Sequence, residues 1–548
     1  MSKRTAPVLF LLFFASCVPA SKKLLRADKN YQSSFQQHVS FLASDSLEGR
    51  RTGTRGEAIA RSYIAEQFRS IGLQPKGTNG FEQLFEVQEG KKPSSASYLW
   101  IQGDTLVAEK DYFYFPWSGS QPIQGEPIPG LREVAAPWII DLGEGIQDNA
   151  NNPHFDLPLY VYEQSKKAAD AGATGLILYS THTSGDKLSF NAKDRSDALK
   201  VSVVYLKKDA AIRYVQADKG GMRIQGKVDF VENVRRGYNV AAFIDNKAEK
   251  TVVLGAHYDH LGYGEDNNSR HTGTPEIHNG ADDNASGTSM LIELARLLKS
   301  KKEQKNNYLF LAFSGEELGL YGSKYFTEKP TIDLKAVNYM INMDMVGRLP
   351  DSSKSITLGG YGTSPAWSKV IDPKASNTIS IRIDSSGTGP SDHSSFYRKD
   401  IPVLFYFTGL HTDYHKPSDD ADRINYEGMV RILRHIERTV DGLNQEPKLA
   451  FLKTRETQTT TTARFSVTMG IMPDYTYSGK GVRADGVSEG KPAQKAGIRA
   501  GDIVLQVGDY SISSMESYMQ TLGKFKKGET IKVIYQRGEE TKEVNVTF

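Results

Sequence analysis

Between residues 238 and 445, apolar runs of strand length alternate with amphipathic stretches of helix length. Residues 251–256, 308–313, 337–343 and 402–407 read as buried strands, and 288–298 as a helix with one apolar face. This alternation predicts an open sheet flanked by helices. In such sheets ligands gather beyond the C-terminal ends of the strands, so the residues that follow each apolar run matter most.

Those residues are acids and imidazoles. The first run finishes in His257-Tyr258-Asp259, and Gly280-Ala281-Asp282-Asp283-Asn284-Ala285-Ser286-Gly287 precedes the helix. Ser314-Gly315-Glu316-Glu317, Asn342-Met343-Asp344 and Asp413-Tyr414-His415 close the other three runs. Each has a plainer reading alone: a hydrogen-bonded core histidine at 257, a charged first helical turn at 316–317, a helix cap at 282–284. Their recurrence after successive strands favours a metal, because burying several carboxylates without a cation is costly. Two histidines and three carboxylates suit zinc, which takes N and O ligands at about 2.0–2.2 Å. One ion rarely needs so many donors, whereas two ions about 3.5–4 Å apart do, with one carboxylate bridging them.

The run His257-Tyr258-Asp259-His260-Leu261-Gly262, the 280–287 segment, Gly315-Glu316-Glu317, Asn342-Met343-Asp344-Met345-Val346-Gly347-Arg348 and Tyr414-His415 together resemble the di-zinc aminopeptidase family. That family's relatives include carboxypeptidase Q, glutamate carboxypeptidase II and glutaminyl cyclase. Leu42-Ala43-Ser44-Asp45-Ser46-Leu47-Glu48-Gly49-Arg50-Arg51-Thr52-Gly53 also looks like the family's opening. The resemblance implies a mixed open α/β sheet of the zinc-peptidase, phosphorylase-like kind. It implies that Asp283 bridges two zinc ions, with His257 and Asp344 completing one site and Glu317 and His415 the other. The peptide bond after the bridging aspartate is often cis in that family. Asp259 would orient the His257 imidazole. Glu316, free of metal, would take the proton of the attacking water and pass it to the departing amine. Tyr414 is either a further hydrogen-bond donor or a packing residue, and Asp392 and His393 match a family segment read as structural.

The other segments carry no comparable chemistry. A chain of 548 residues is too long for one ordinary core. Residues 30–90 read as the N-terminal part of the peptidase domain, with His38 to Pro75 a mainly helical lead-in, and 91–235 as a mainly-β insert. Lys166-Lys167-Ala168-Ala169-Asp170-Ala171-Gly172-Ala173-Thr174-Gly175-Leu176-Ile177-Leu178 resembles the protease-associated domain. Residues 236–446 form the zinc peptidase domain and 447–463 a Thr-rich linker. In 464–548, Pro492-Ala493-Gln494-Lys495-Ala496-Gly497-Ile498-Arg499-Ala500-Gly501-Asp502-Ile503-Val504 resembles a PDZ domain of the bacterial protease type. Its carboxylate-binding loop would then include Met469, Gly470, Ile471 and Met472, whose N–H groups could receive a peptide or protein C-terminus.

Residues 1–20 read as a secretory signal: Lys3 and Arg4 precede an apolar run far shorter than the roughly 20 residues that span a bilayer. The single cysteine, Cys17, follows Phe14-Ala15-Ser16 and looks like a lipobox cysteine, although Phe14 replaces the usual leucine. Lipidation there would anchor an exported protein in the periplasm or outer membrane. Cleavage after Val18-Pro19-Ala20 would release it instead. A net charge of +3 without a long basic run gives nucleic-acid binding no electrostatic support. The expected activity is removal of the N-terminal residue from peptides. The alternatives are glutaminyl cyclase-like, carboxypeptidase or dipeptidase activity on the same fold, or a non-catalytic receptor or adaptor.

Overall fold

The computed structural model describes residues 20–548 apart from 151–154, 193, 195, 217–221, 267, 272, 374–378, 455–466, 475, 476, 478, 488, 489 and 514. Cys17, the signal segment and most of the Thr-rich linker lie outside the described residues. Among those described, no helix is long and apolar enough to cross a membrane.

The chain enters through helices α1 (Ala20–Leu42) and α2 (Arg55–Ile71). Thr54 caps α2 by accepting the Glu57 N–H, and Gly72 ends it in the left-handed conformation. The central sheet is built from β1 (Gln74–Pro75), β2 (Glu82–Pro93), β3 (Phe230–Ile244), β4 (Lys250–His257), β5 (Asn306–Phe313), β6 (Val337–Met343), β7 (Ser355–Gly359), β8 (Ser380–Ile383) and β9 (Val403–Phe407). They run in the order β1-β3-β5-β4-β6-β9-β7-β8, with β2 also paired to β3. The sheet is mixed. Pairs β5–β4, β4–β6 and β6–β9 are parallel, whereas β3–β5 and β9–β7 are antiparallel.

Period-two alternation sorts the strand side chains onto two covered faces. Val252, Leu254 and Ala256 of β4, with Tyr308, Phe310 and Ala312 of β5, join one core. Helices α1, α2, α3 (Gly287–Ser300) and α5 (Tyr426–Gly442) cover it with residues such as Phe35, Phe68, Leu291 and Ile436. Val253, Leu309, Leu311 and Phe313 point the other way and meet Phe326 of α4 (Tyr321–Glu328) and Phe396. With both faces covered, the middle strands are apolar throughout, and their polar residues are confined to the ends.

Strands β2 and β3 pair well beyond the sheet as an antiparallel ribbon. The chain between them folds into two four-stranded sheets; one core draws on both, with Tyr114 from one sheet and Ile224 from the other, and a second core around Phe115 and Leu178 uses the other face of the sheet that carries Tyr114. A helix spans Leu157–Asp170 of this insert. Asp156 caps it and Pro158 stands in its first turn, where proline's missing N–H costs nothing. The C-terminal domain has its own core, including Met469, Ile471, Val504 and Tyr535. It touches both other parts of the chain. Lys324 on α4 meets Asp474 at 2.9 Å, and Lys524 meets Asp156 of the insert at 3.1 Å.

Phe310 sits between the sheet and Phe68, whose ring centroid is 6.2 Å away, and it is fully buried. Phe310→Ala should lower stability by about 3–5 kcal/mol in chemical denaturation. A loss below about 1 kcal/mol would contradict the packing described here.

Candidate metal centre

Five segments meet at the C-terminal edge of the parallel strands. Strand β4 ends in His257, whose carbonyl accepts the Thr288 hydroxyl of α3 at 2.8 Å. Strand β5 feeds the turn carrying Glu316 and Glu317, β6 leads straight into Asp344, and the loop after β9 delivers His415. The fifth segment, Ala281–Ser286, carries Asp283 and leads into α3. Gly280 opens it at φ +55°, where a Cβ would lie 2.2 Å from the Asp283 carbonyl and 2.4 Å from the His260 ring. Only glycine fits such a turn. The Asp283–Asn284 peptide bond is cis.

The five proposed ligands converge. Asp283 turns one carboxylate oxygen to each histidine: Oδ1 lies 3.3 Å from His257 Nε2, and Oδ2 lies 3.2 Å from His415 Nε2. His257 Nε2 is also 3.3 Å from Asp344 Oδ1, and His415 Nε2 is 3.2 Å from Glu317 Oε2. Glu316 Oε2 stands 3.9 Å from His257. Among the described residues, two groups bring potential ligand atoms within 4.8 Å of one another: His257 with Glu316 and Asp344, and His260 with Asp283 and Glu317. Neutral imidazole and carboxylate donors at this density fit a borderline divalent cation such as zinc.

A layer of hydrogen bonds fixes these groups. The Asp259 carboxylate accepts the Glu316 and Glu317 N–H groups at 3.2 and 3.4 Å, and the Thr52 hydroxyl at 3.1 Å. Its main-chain carbonyl, 3.2 Å from His257 Nδ1, is nearer to that imidazole than the carboxylate oxygen at 3.7 Å. Asp259 thus meets the imidazole through its backbone and holds the two-glutamate turn with its side chain. Ser391 donates to Asp344 at 2.7 Å. Asp419 accepts the Asp282 and Asp283 N–H groups at 2.9 and 3.1 Å, so the loop bearing His415 also fixes the loop bearing Asp283. Arg50 is fully buried and donates to the carbonyls of Tyr258, Asn279 and Gly280 at 2.7–3.0 Å, and also to that of Leu42. It puts a fixed positive charge beneath the acids.

The sequence reading gave His260 no role of its own. Its Nδ1 lies 2.7 Å from Glu317 Oε1, and it is buried within the second group. Its place three residues after His257 was the available signal. Asp419 and Ser391 gave none, because each acts from a loop whose path cannot be read from spacing. The Tyr414 ring stacks on His415 with centroids 3.9 Å apart. His393 stacks on Phe405 at 4.4 Å, and burial pushes its pKa down to about 3, as suits a packed neutral ring. Met469, Gly470 and Ile471 lie far along the chain in the C-terminal domain, where Met469 and Ile471 are buried and the Met469 carbonyl accepts the Ala493 N–H at 2.8 Å. The Met472 side chain lies outside the described residues.

The protein described as aminopeptidase YwaD of Bacillus subtilis is 27% identical over 70% of this chain and 79% of its own length. A probable leucine aminopeptidase of Arthroderma otae is 30% identical over 68% of this chain and 93% of its own. Residues 239–440 match the model of peptidase family M28. The chain belongs to that family. Residues 467–548 of this M28 peptidase chain match the PDZ domain model. Among solved structures, a zinc aminopeptidase from Bacillus subtilis is 20% identical over 76% of this chain and 98% of that one, with a TM-score of 0.42.

The acids and imidazoles of this M28 centre set one another's titration. Burial would lower the His415 pKa, but the Glu317 and Asp283 carboxylates override it and push it up to about 11. Burial likewise opposes protonation of His257, and Asp344 and Glu316 drive its pKa well above the usual imidazole value. Burial raises Glu316 well above the usual carboxylate range, with Asp344 and Glu317 adding to the rise against His257. At neutral pH both imidazoles therefore carry protons that a cation must displace. Metal uptake should release protons, and apparent affinity should climb as pH rises. Calorimetric titration in buffers of different ionisation enthalpy reads this directly, and a heat independent of buffer would contradict it.

Proposed function

We propose that this chain is a metallo-aminopeptidase that removes the N-terminal residue of peptides with two zinc ions held by His257, Asp283, Glu317, Asp344 and His415. The observation that carries the reading is the Asp283 carboxylate, whose two oxygens face two different histidines from opposite ends. A single cation would leave one of those oxygens and one imidazole without a role. When bound, the ions supply Lewis acidity, which makes a water acidic and offsets charge developing on the scissile carbonyl. The names of the two relatives support the aminopeptidase reading over other peptidase activities.

Glu316 is the base. Its carboxyl borders the cluster while its N–H is tied to Asp259, so the side chain projects from a fixed turn. Beside bound cations the carboxylate would be restored, ready to take the proton of the attacking water. It then returns that proton to the departing amine nitrogen as the peptide bond breaks. Tyr414, whose ring stacks on His415, is read as a further hydrogen-bond donor or a packing neighbour of that ligand.

We further read residues 1–20 as an export signal with lipidation at Cys17, which would set the enzyme in the periplasm or on the outer membrane. The insert is read as a protease-associated domain, and the loop at 469–472 as a receiver of peptide or protein C-termini.

Glu316→Gln should keep its metal and lose peptide hydrolysis by about 10²–10⁴-fold. Metal analysis beside a peptidase assay checks both halves, and near-parental turnover would remove Glu316 from its role. The parent should cleave peptides with a free N-terminal amine and leave N-acetylated ones intact. Preferential cleavage of the blocked peptides would replace the aminopeptidase reading with an endo- or carboxypeptidase one. A chain truncated after residue 454 should retain turnover of a small amino-acyl amide, as expected if the PDZ domain is accessory. Complete loss in a folded truncation would make the domain part of the catalytic unit.

A further inference from the structure

The rim loop between His257 and the Asp283 segment reaches the second half of the centre directly. The Asn268 carbonyl accepts from His415 Nδ1 at 2.8 Å, which leaves Nε2 turned toward Asp283 and Glu317. The Asn268 amide donates to the Glu317 carbonyl at 3.2 Å, and the Arg270 N–H donates to the His415 carbonyl at 2.9 Å. One short piece of loop therefore holds a histidine by both its ring and its backbone, and the neighbouring glutamate by its backbone. None of the contacts described for Asp344 or the His257 imidazole comes from this piece.

What holds the loop itself is Asp266, two residues before Asn268. Its carboxylate receives two guanidinium forks at once. Arg51 Nε and Nη2 lie at 2.8 and 2.9 Å, and Arg235 Nη1 and Nη2 at 3.0 and 2.8 Å. Paired forks of this kind fix direction as well as distance. Arg51 follows Arg50, which lies beneath the acids. Arg235 belongs to the ribbon strand β3, where it also pairs with Glu89 of β2. Asp266 and Arg235 are 17% and 8% exposed, so water screens the pair poorly.

We propose that Asp266 is a positioning residue that ties the ribbon bearing the insert to the half of the centre formed by His415 and Glu317. It acts through Asn268, which sets the tautomer and ring direction of His415. The inference rests on the two-ion reading and adds an asymmetry: the ion held by Glu317 and His415 depends on this clamp, and the ion held by His257 and Asp344 does not.

Zinc retained per chain after equilibration with graded chelator tests this on the full-length parent, Asp266→Asn, Asp266→Glu and Arg235→Gln. The parent should release its two zinc ions in two steps. Asp266→Asn should weaken one step by about 10-fold or more, the scale on which groups that orient metal ligands act, and leave the other unchanged. Arg235→Gln, approaching from the ribbon side with Arg51 intact, should shift the same step by less. Asp266→Glu, which keeps the charge, should restore most of the loss. A merely structural role would lower thermal stability without separating the two steps. Loss of both ions in step, or of neither, across Asp266→Asn and Arg235→Gln overturns the inference. A parent that holds one ion or none overturns the two-ion reading and the inference together.

Discussion

Like charge buried in one small volume is the constraint that organises this molecule. Asp283, Asp344, Glu316 and Glu317 crowd against two imidazoles at the end of an apolar sheet. Without a compensating cation such a cluster must hold protons it would shed in water. Much of the surrounding structure answers that one problem. Arg50 brings positive charge beneath the acids, and Asp259, Asp419 and Ser391 hold them in directions that burial alone would not choose.

The sheet could be read in the sequence because its strands are buried on both faces. Continuous apolar runs give element type and order, and the runs at 337–343 and 402–407 fall within about a residue of the observed strands. The candidate ligands were legible only as a set, since acids and imidazoles recur directly after successive apolar runs and each alone has a plainer reading. What spacing could not give is contact between distant loops. His260 stands beside His257 in sequence, yet its partner Glu317 is 57 residues away. Asp419 reaches Asp283 across 136 residues. Residues that act through a neighbour leave no periodic trace, whereas residues on strands do.

The same distinction separates the three parts of the chain. The peptidase sheet is specified by pattern. The insert and the PDZ domain have their own small cores; the insert hangs on the β2–β3 ribbon, and the PDZ domain meets the other two parts through ion pairs such as Lys324–Asp474 and Lys524–Asp156. Lys324 and Asp474 are 11% and 5% exposed, and the desolvation that such burial costs offsets much of their attraction, so these contacts bear on orientation more than on stability.

The ribbon formed by β2 and β3 gives the insertion point a second meaning. A module hung on two long strands would ordinarily be free to lengthen, shrink or be replaced over evolutionary time, because its stem crosses no part of the sheet core. Here the stem carries Arg235, and Arg235 grips the loop whose next residues touch His415. Any change of the appendage that reshapes the stem is therefore felt by the loop that holds His415.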